Sequence, residues 1–338
     1  MITKAFCGWQ SAFFSSFYRI KNSILTVAFP NTFLIGVQKA GTTSLDNWLS
    51  QHPGIYSYQS LKDTHLFGLY NSKKEIELRL EKEQVSVFAN EKIVLHAAVN
   101  YIFYPAMLKA IHRDAPESKI IIILRNPVDR AVSSYYYFKK MFREKRPIDK
   151  ALMYTPGNNF SFTKDNNDFT YIEHGFYHQQ LVECFRYFNK DNVLIIDFDK
   201  MKINPADTMQ KVFAFLQVDQ NFHPDFSSKN KTGEIRNQWL QKQLVKNNSF
   251  KKWLIKYFVN SWLPAKKRNL LKRKMLEKNT KPIDDSKNAG EKKEKLPGHV
   301  RDFLIEQYKN DVVALDTLLG TNYFTKWLQP PAENDHQR

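Results

Sequence analysis

Phe33-Leu34-Ile35-Gly36-Val37-Gln38-Lys39-Ala40-Gly41-Thr42-Thr43-Ser44-Leu45 reads as an apolar strand, a glycine-bearing loop and the start of a helix. A turn of this kind presents a row of backbone N–H groups to an anion, at the positive end of a helix dipole. Lys39 adds a mobile cation, and Thr42, Thr43 and Ser44 add hydroxyl donors. The residues expected to surround the anion are Lys39, Ala40, Gly41, Thr42, Thr43 and Ser44. Such a donor set suits a phosphate or sulfate ester, although an ordinary strand-to-helix turn would use the same residues. The nucleotide triphosphatase pattern differs, since it needs a glycine, four residues and then Gly-Lys-Ser/Thr. Here the lysine precedes the second glycine by two residues, and Thr42 follows Gly41.

A second decisive stretch is Lys119-Ile120-Ile121-Ile122-Ile123-Leu124, followed by Arg125-Asn126-Pro127-Val128-Asp129-Arg130-Ala131-Val132-Ser133-Ser134-Tyr135-Tyr136. A β-branched run without polar alternation is a strand buried on both faces, as in a parallel sheet. Arg125 then stands just past the carboxyl end of that strand, where open α/β sheets bind ligands. Pro127 suits the first turn of a helix, and Asp129 complements its dipole. Arg125 and Ser133 are eight residues apart, so they share a site only if the helix folds back beside the strand end. A triphosphatase would more often place an aspartate here to hold magnesium. Arginine fits chemistry without a metal, and no metal site is expected.

Taken together, Gln38-Lys39-Ala40-Gly41-Thr42-Thr43 and the Arg-Asn-Pro-x-Asp-Arg-x-x-Ser-x-Tyr pattern beginning at Arg125 resemble the sulfotransferases that use 3′-phosphoadenosine 5′-phosphosulfate (PAPS), in particular the carbohydrate, heparan-sulfate-type members. The resemblance implies an α/β fold, a three-layer P-loop-like arrangement with a central parallel sheet flanked by helices. It implies PAPS as co-substrate, its 5′-phosphosulfate on the first loop and its 3′-phosphate on Arg125 and Ser133. Lys39 would neutralise charge building on the leaving phosphate. Asn230-Lys231-Thr232-Gly233-Glu234-Ile235-Arg236 resembles the family's late loop over the nucleotide, which puts Lys231 and Arg236 near the phosphates. The likeness covers roughly residues 31–240 and 300–328.

Two departures touch the reaction centre. Related carbohydrate enzymes read Lys-Glu-x-His/Asn-Phe-Phe with the glutamate as base, whereas this chain has Lys62-Asp63-Thr64-His65-Leu66-Phe67. Aspartate keeps the carboxylate but shortens its reach by a methylene, so either Asp63 or His65 takes the acceptor proton; neutral histidine suits the task. Leu95-His96-Ala97-Ala98-Val99-Asn100-Tyr101 has His96 and Ala98 where relatives often carry an acid and a serine. Acceptor identity therefore does not carry over, and His96 reads equally as an acceptor contact or a core residue. Gly175-Phe176-Tyr177 matches a family Gly-x-Tyr close to the acceptor, after a polar stretch from Thr155 to Asp168 of the kind that forms lids or binding loops. Asn192 to Phe198 reads as another parallel strand, and Pro205 to Leu216 as a helix with apolar residues at a 3.6 period.

The 338 residues suffice for one enzyme domain plus an embellishment. Residues 1–30 read as a lead-in or membrane-surface helix, 31–328 as the enzyme domain and 329–338 as a tail. No apolar run in the lead-in reaches the roughly 20 residues of a spanning helix. Two cysteines, Cys7 and Cys184, give no disulfide framework and favour a reducing compartment. The expected location is cytoplasmic or peripheral to a membrane; a weak signal anchor of a Golgi membrane enzyme is the alternative. Charge concentrates in a basic amphipathic insertion at about 241–295, where 17 Lys plus Arg face 5 Asp plus Glu, giving +12 of the chain's +17. That segment suits an anionic membrane surface, a cover over an acidic substrate, or merely a solvated face. Nucleic acid is disfavoured, because no motif supports it. The reading is a sulfotransferase acting on a hydroxyl or amine of a carbohydrate, glycolipid or other acceptor. The rivals are a P-loop-type nucleotide kinase or triphosphatase, and a non-catalytic basic membrane-binding protein.

Overall fold

A computed structural model of the chain describes residues 28–81, 92–154, 169–227, 234–235, 237, 275, 279–281 and 296–329. Five strands, β1 (Thr32–Gly36), β2 (Ile55–Ser57), β3 (Ile93–Ala97), β4 (Lys119–Leu124) and β5 (Val193–Asp197), form one sheet in the order β2-β3-β1-β4-β5. It is a central parallel sheet with flanking helices, the α/β architecture expected from the Ile120–Leu124 run. The main helices are α1 (Thr42–Leu49), α2 (Pro105–Asp114), α3 (Pro127–Lys140), α4 (Tyr177–Tyr187), α5 (Pro205–Leu216) and α6 (Gly298–Leu319).

The chain divides into two compact units. One comprises 1–36, 45–123 and 183–225 and holds nearly all of the sheet. Its register sets Phe33 beside His96 in β3 and beside Ile120 in β4. A register shift between Leu34 and Gly36 then brings Gly36 opposite Ile122. Gly36 sits at a close crossing: a Cβ there would stand 2.5 Å from Ile102 Cγ2 and 3.2 Å from the Val99 carbonyl. The segment after β3 presses on β1 because Ala98 N–H donates to Leu34 O at 3.0 Å and Ile102 N–H to Ile35 O at 3.2 Å. Helix α2 begins on Pro105 and buries Met107, Leu108 and Ile111. Helix α5 is capped by Asn204, whose side chain accepts from Asp207 N–H at 3.1 Å, and it buries Met209, Val212, Phe213 and Leu216. The 3.6 period selects these four together with Ala206, which the first turn leaves exposed.

The other unit comprises 37–44, 124–182 and 226–338. Asn126 caps α3, its side-chain oxygen accepting from Val128 N–H at 2.9 Å and Asp129 N–H at 3.4 Å. Helix α6 turns Val300, Leu304, Tyr308, Val312 and Leu315 inward and ends at Gly320 in the left-handed conformation, φ 65°. Strands Glu234–Ile235 and Thr280–Lys281 pair antiparallel, and Asn279 joins Asn237 through two bonds of 3.0 Å. Residues 1–27 of the expected lead-in, the 155–168 stretch, residues 330–338 of the expected tail and nearly all of the basic insertion lie outside the described residues.

Candidate active site

β1 and β4 are neighbours, so the two segments that leave their carboxyl ends start side by side. Both segments belong to the second unit. In the first, Lys39 and Gly41 take positive φ, 69° and 81°. For lysine this costs about 1–3 kcal/mol, the kind of backbone strain that collects at ligand sites. Ala40 N–H bonds Val37 O and Ser44 N–H bonds Gly41 O, which closes the loop and uses those two donors internally. The N–H groups of Thr42 and Thr43 fall in the first turn of α1, where no preceding carbonyl exists within the helix to receive them.

Arg125 meets this loop directly: its Nη1 donates to Lys39 O at 2.8 Å. Ser134 Oγ donates to Gln38 Oε1 at 3.1 Å, tying α3 to the same loop. Ser133, one residue earlier, is half-buried on that helix. Sequence spacing left open whether Arg125 and Ser133 share a site; these bonds tie Arg125 and the helix that carries Ser133 to the same loop. The Lys39 ammonium lies 4.2 Å from the centre of the Tyr137 ring. Its pKa is lowered to about 8, first by burial and then by the positive charges of Arg125, Lys140 and Arg130. The cluster therefore carries positive charge with mutual repulsion, a setting that an anion with phosphates at both ends would relieve.

A buried scaffold holds Arg125 in place, and the sequence reading missed most of it. Tyr177 donates its hydroxyl to Arg125 O at 2.8 Å. Asn126 Nδ2 donates to Trp327 O at 2.8 Å, and Trp327 stacks on Tyr323 with ring centres 3.9 Å apart. Arg130 is fully buried and donates through Nη2 to Tyr171 O, while Tyr308 Oη donates to Ile172 O at 3.1 Å. Helical periodicity from Ser133 could have flagged Tyr137 and Arg130, one turn away on either side.

Asp63 and His65 belong to the first unit. Asp63 also has positive φ, 59°, which aspartate tolerates better than most residues. Its N–H bonds Ala97 O at 2.9 Å, its Oδ1 accepts from Val99 N–H at 3.4 Å, and Lys62 Nζ stands 3.6 Å from Oδ2. The carboxylate is thus held by backbone yet remains 51% exposed. His65 is half-buried; burial lowers its pKa below the ordinary histidine value, partly opposed by Asp63, and keeps the ring neutral near pH 7. His96 lies within β3, wholly buried among Phe33, Tyr58, Phe67 and Tyr101, with its pKa driven to about 3 by burial. Of its two readings, the structure supports the core residue. Tyr101 Oη, 3.4 Å from His96 Nδ1, accepts from Phe67 N–H at 3.3 Å and so couples β3 to the loop carrying His65.

Asp46 escaped the sequence reading. It is 1% exposed, accepts from Ser57 Oγ at 2.6 Å, and has a pKa raised by burial against the opposing pull of Ser57 and Lys62. A lone aspartate on a helix carries no sequence signal of such burial. Lys231 and Arg236 lie outside the described residues.

Comparison with known proteins agrees with this geometry. The family model of the sulfotransferase domain matches residues 29–296. The chain is similar to the membrane-associated sulfotransferase kil1 of Dictyostelium discoideum, 32% identical over 119 residues, which are 35% of this chain and 25% of that protein. It is also similar to the human heparan sulfate glucosamine 3-O-sulfotransferase 6, 26% identical over 188 residues, covering 56% of this chain and 52% of that one. The chain thus spans about half or less of the length of these curated relatives. Among solved structures, a sulfotransferase from Alicyclobacillus acidocaldarius superposes with a TM-score of 0.60 at 23% identity, covering 89% of this chain and all of that one, which bears on the fold alone. With the family model spanning most of the chain, the chain belongs to the sulfotransferase domain family.

Proposed function

We propose that the chain transfers a sulfuryl group from PAPS to a hydroxyl or amine of a carbohydrate or glycolipid acceptor. One observation supports the donor side of this reading: the Arg125 Nη1 bond to Lys39 O, which joins the glycine-bearing loop after β1 to the segment after β4. The repulsion among Lys39, Arg125, Arg130 and Lys140 supports a polyanionic donor with phosphates at two positions. Arg125 and Ser133 would hold the 3′-phosphate. The loop from Lys39 to Ser44 would hold the phosphosulfate, with Lys231 and Arg236 reaching the phosphates from the late loop.

In the transfer, the bond between sulfur and the bridging phosphate oxygen breaks while a bond from sulfur to the acceptor atom forms. The acceptor proton goes to Asp63 or His65, and 3′-phosphoadenosine 5′-phosphate (PAP) leaves. Lys39 meets the charge developing on the leaving phosphate, where a preorganised cation contributes most. PAPS itself supplies the activated sulfuryl group; the chain's residues bind, orient and neutralise. A carbohydrate comes first among acceptors because a relative is named for heparan sulfate glucosamine. A peripheral position on an anionic membrane is proposed through the basic insertion, supported by its +12 charge and by a relative named as membrane-associated. No helix among the described residues is long and apolar enough to cross a membrane.

The test is PAP release from PAPS with a panel of glycan, glycolipid and small-alcohol acceptors, with and without EDTA. The account expects acceptor-dependent release that EDTA leaves unchanged. Magnesium-dependent turnover of ATP, with none of PAPS, would replace it by the kinase reading.

A further inference from the structure

Helix α3 addresses the phosphate loop with one face. Arg130, Ser134, Tyr137 and Lys140 follow one another at spacings of four, three and three, which places them along a single stripe, with Ser133 beside Ser134 and four residues before Tyr137. Ser134 on that stripe binds Gln38, and one turn from Ser133 the Tyr137 ring stands 4.2 Å beneath the Lys39 ammonium. Among the described residues, the charges that act on Lys39 are positive: Arg125 at the end of β4, and Arg130 and Lys140 on α3. A lysine in that company sheds its proton readily unless something favours the charged form. The negative face of an aromatic ring does so, more strongly where water is partly excluded.

We propose that Tyr137 is a positioning residue that fixes the Lys39 ammonium and keeps it protonated before the donor arrives. Tyr137 is 40% exposed, so its replacement does not open the core. The role belongs to the ring face and not to the phenol, because the ammonium lies over the ring. The inference concerns Lys39 in the free protein and deepens the sulfuryl-transfer reading without depending on it for its test.

The experiment is competitive acylation of the unliganded full chain across pH 6–10, read at Lys39 by mass spectrometry, for wild type, Tyr137→Leu and Tyr137→Phe. Leucine keeps apolar bulk and removes the ring; phenylalanine keeps the ring and removes the hydroxyl. The Leu variant is expected to raise Lys39 acylation at pH 7 about threefold or more, since the neutral amine gains population when the cation–π contact is lost. The Phe variant is expected to restore the wild-type profile. A Leu variant with an unchanged profile, or a Phe variant that behaves like Leu, would overturn the proposal. If the protein also turns over PAPS, Tyr137→Leu should lower kcat more than it raises KM for PAPS, with Phe again rescuing. Absence of PAPS turnover would count against the transfer reading and leave the acylation result to decide Tyr137.

Discussion

Lys39 should take up a proton when a nucleotide phosphate binds, and the amount follows from its environment. With a pKa of about 8, close to half of the free protein carries a neutral Lys39 at pH 8. Phosphate oxygens beside the amine favour the charged form and return it toward the ordinary lysine range of about 10.4. Binding of PAP should then absorb about 0.1 proton at pH 7, about 0.5 at pH 8 and about 0.9 at pH 9. The ligand's own phosphates are largely ionised there, with second pKa values of about 6. Calorimetry in two buffers of different ionisation enthalpy measures this uptake. Lys39→Ala should abolish it, and should also lower sulfuryl transfer by about 10²–10³-fold, as loss of a donor to developing charge does. Uptake near zero in wild type at pH 8, or uptake that survives in Lys39→Ala, would refute the assigned environment.

Other consequences are as specific. Asp63→Asn and His65→Gln separate the two candidate bases: the true one should cost about 10²–10⁴-fold in kcat. If it is His65, the acid limb of the kcat profile lies below the ordinary histidine range, because its pKa is lowered. Comparable activity in both variants would remove the base from this cluster. Asp46 has its carboxyl raised in the folded state, so its ionisation opposes folding; that stability is present at low pH and is lost as pH rises from the unfolded carboxylate value through the folded one. Asp46→Asn keeps an acceptor for Ser57 and should melt higher than wild type at pH 7–8, with the difference closing near pH 4. A lower Tm at pH 7 would mean that the attraction of Lys62 outweighs burial. A Cβ at Gly175 would stand 2.5 Å from Tyr308 Cε1, so Gly175→Ala should destabilise by about 1–3 kcal/mol in chemical denaturation, and an unchanged midpoint would show that the ring yields.

The parts of the fold that depend on local pattern were legible. β1, β4 and α5 are announced by apolar runs or a 3.6 period that tertiary contacts do not override, and the two phosphate motifs by glycine, lysine, arginine and hydroxyl residues in a fixed order. β2 was not, because three residues, Ile55 to Ser57, are too few for any period. β3 was read for chemistry and not as a strand, since His96 interrupts its apolar run; only its place between β2 and β1 makes that histidine a core residue. Positive φ at Lys39 and Asp63 was invisible for a related reason, as neither is the glycine that marks such a backbone. Tyr137 beneath Lys39, Tyr177 on Arg125 and Ser57 on Asp46 join residues that only the fold brings together.

The most direct test of the central claim is calorimetric titration of the protein with PAP and with ADP, repeated on Arg125→Ala. The account predicts PAP binding that is indifferent to magnesium, tighter than ADP binding, and about 10- to 100-fold weaker in the variant, the worth of a charge-assisted bond. Equal affinity for PAP and ADP, or an Arg125→Ala variant that binds PAP as wild type does, would contradict it.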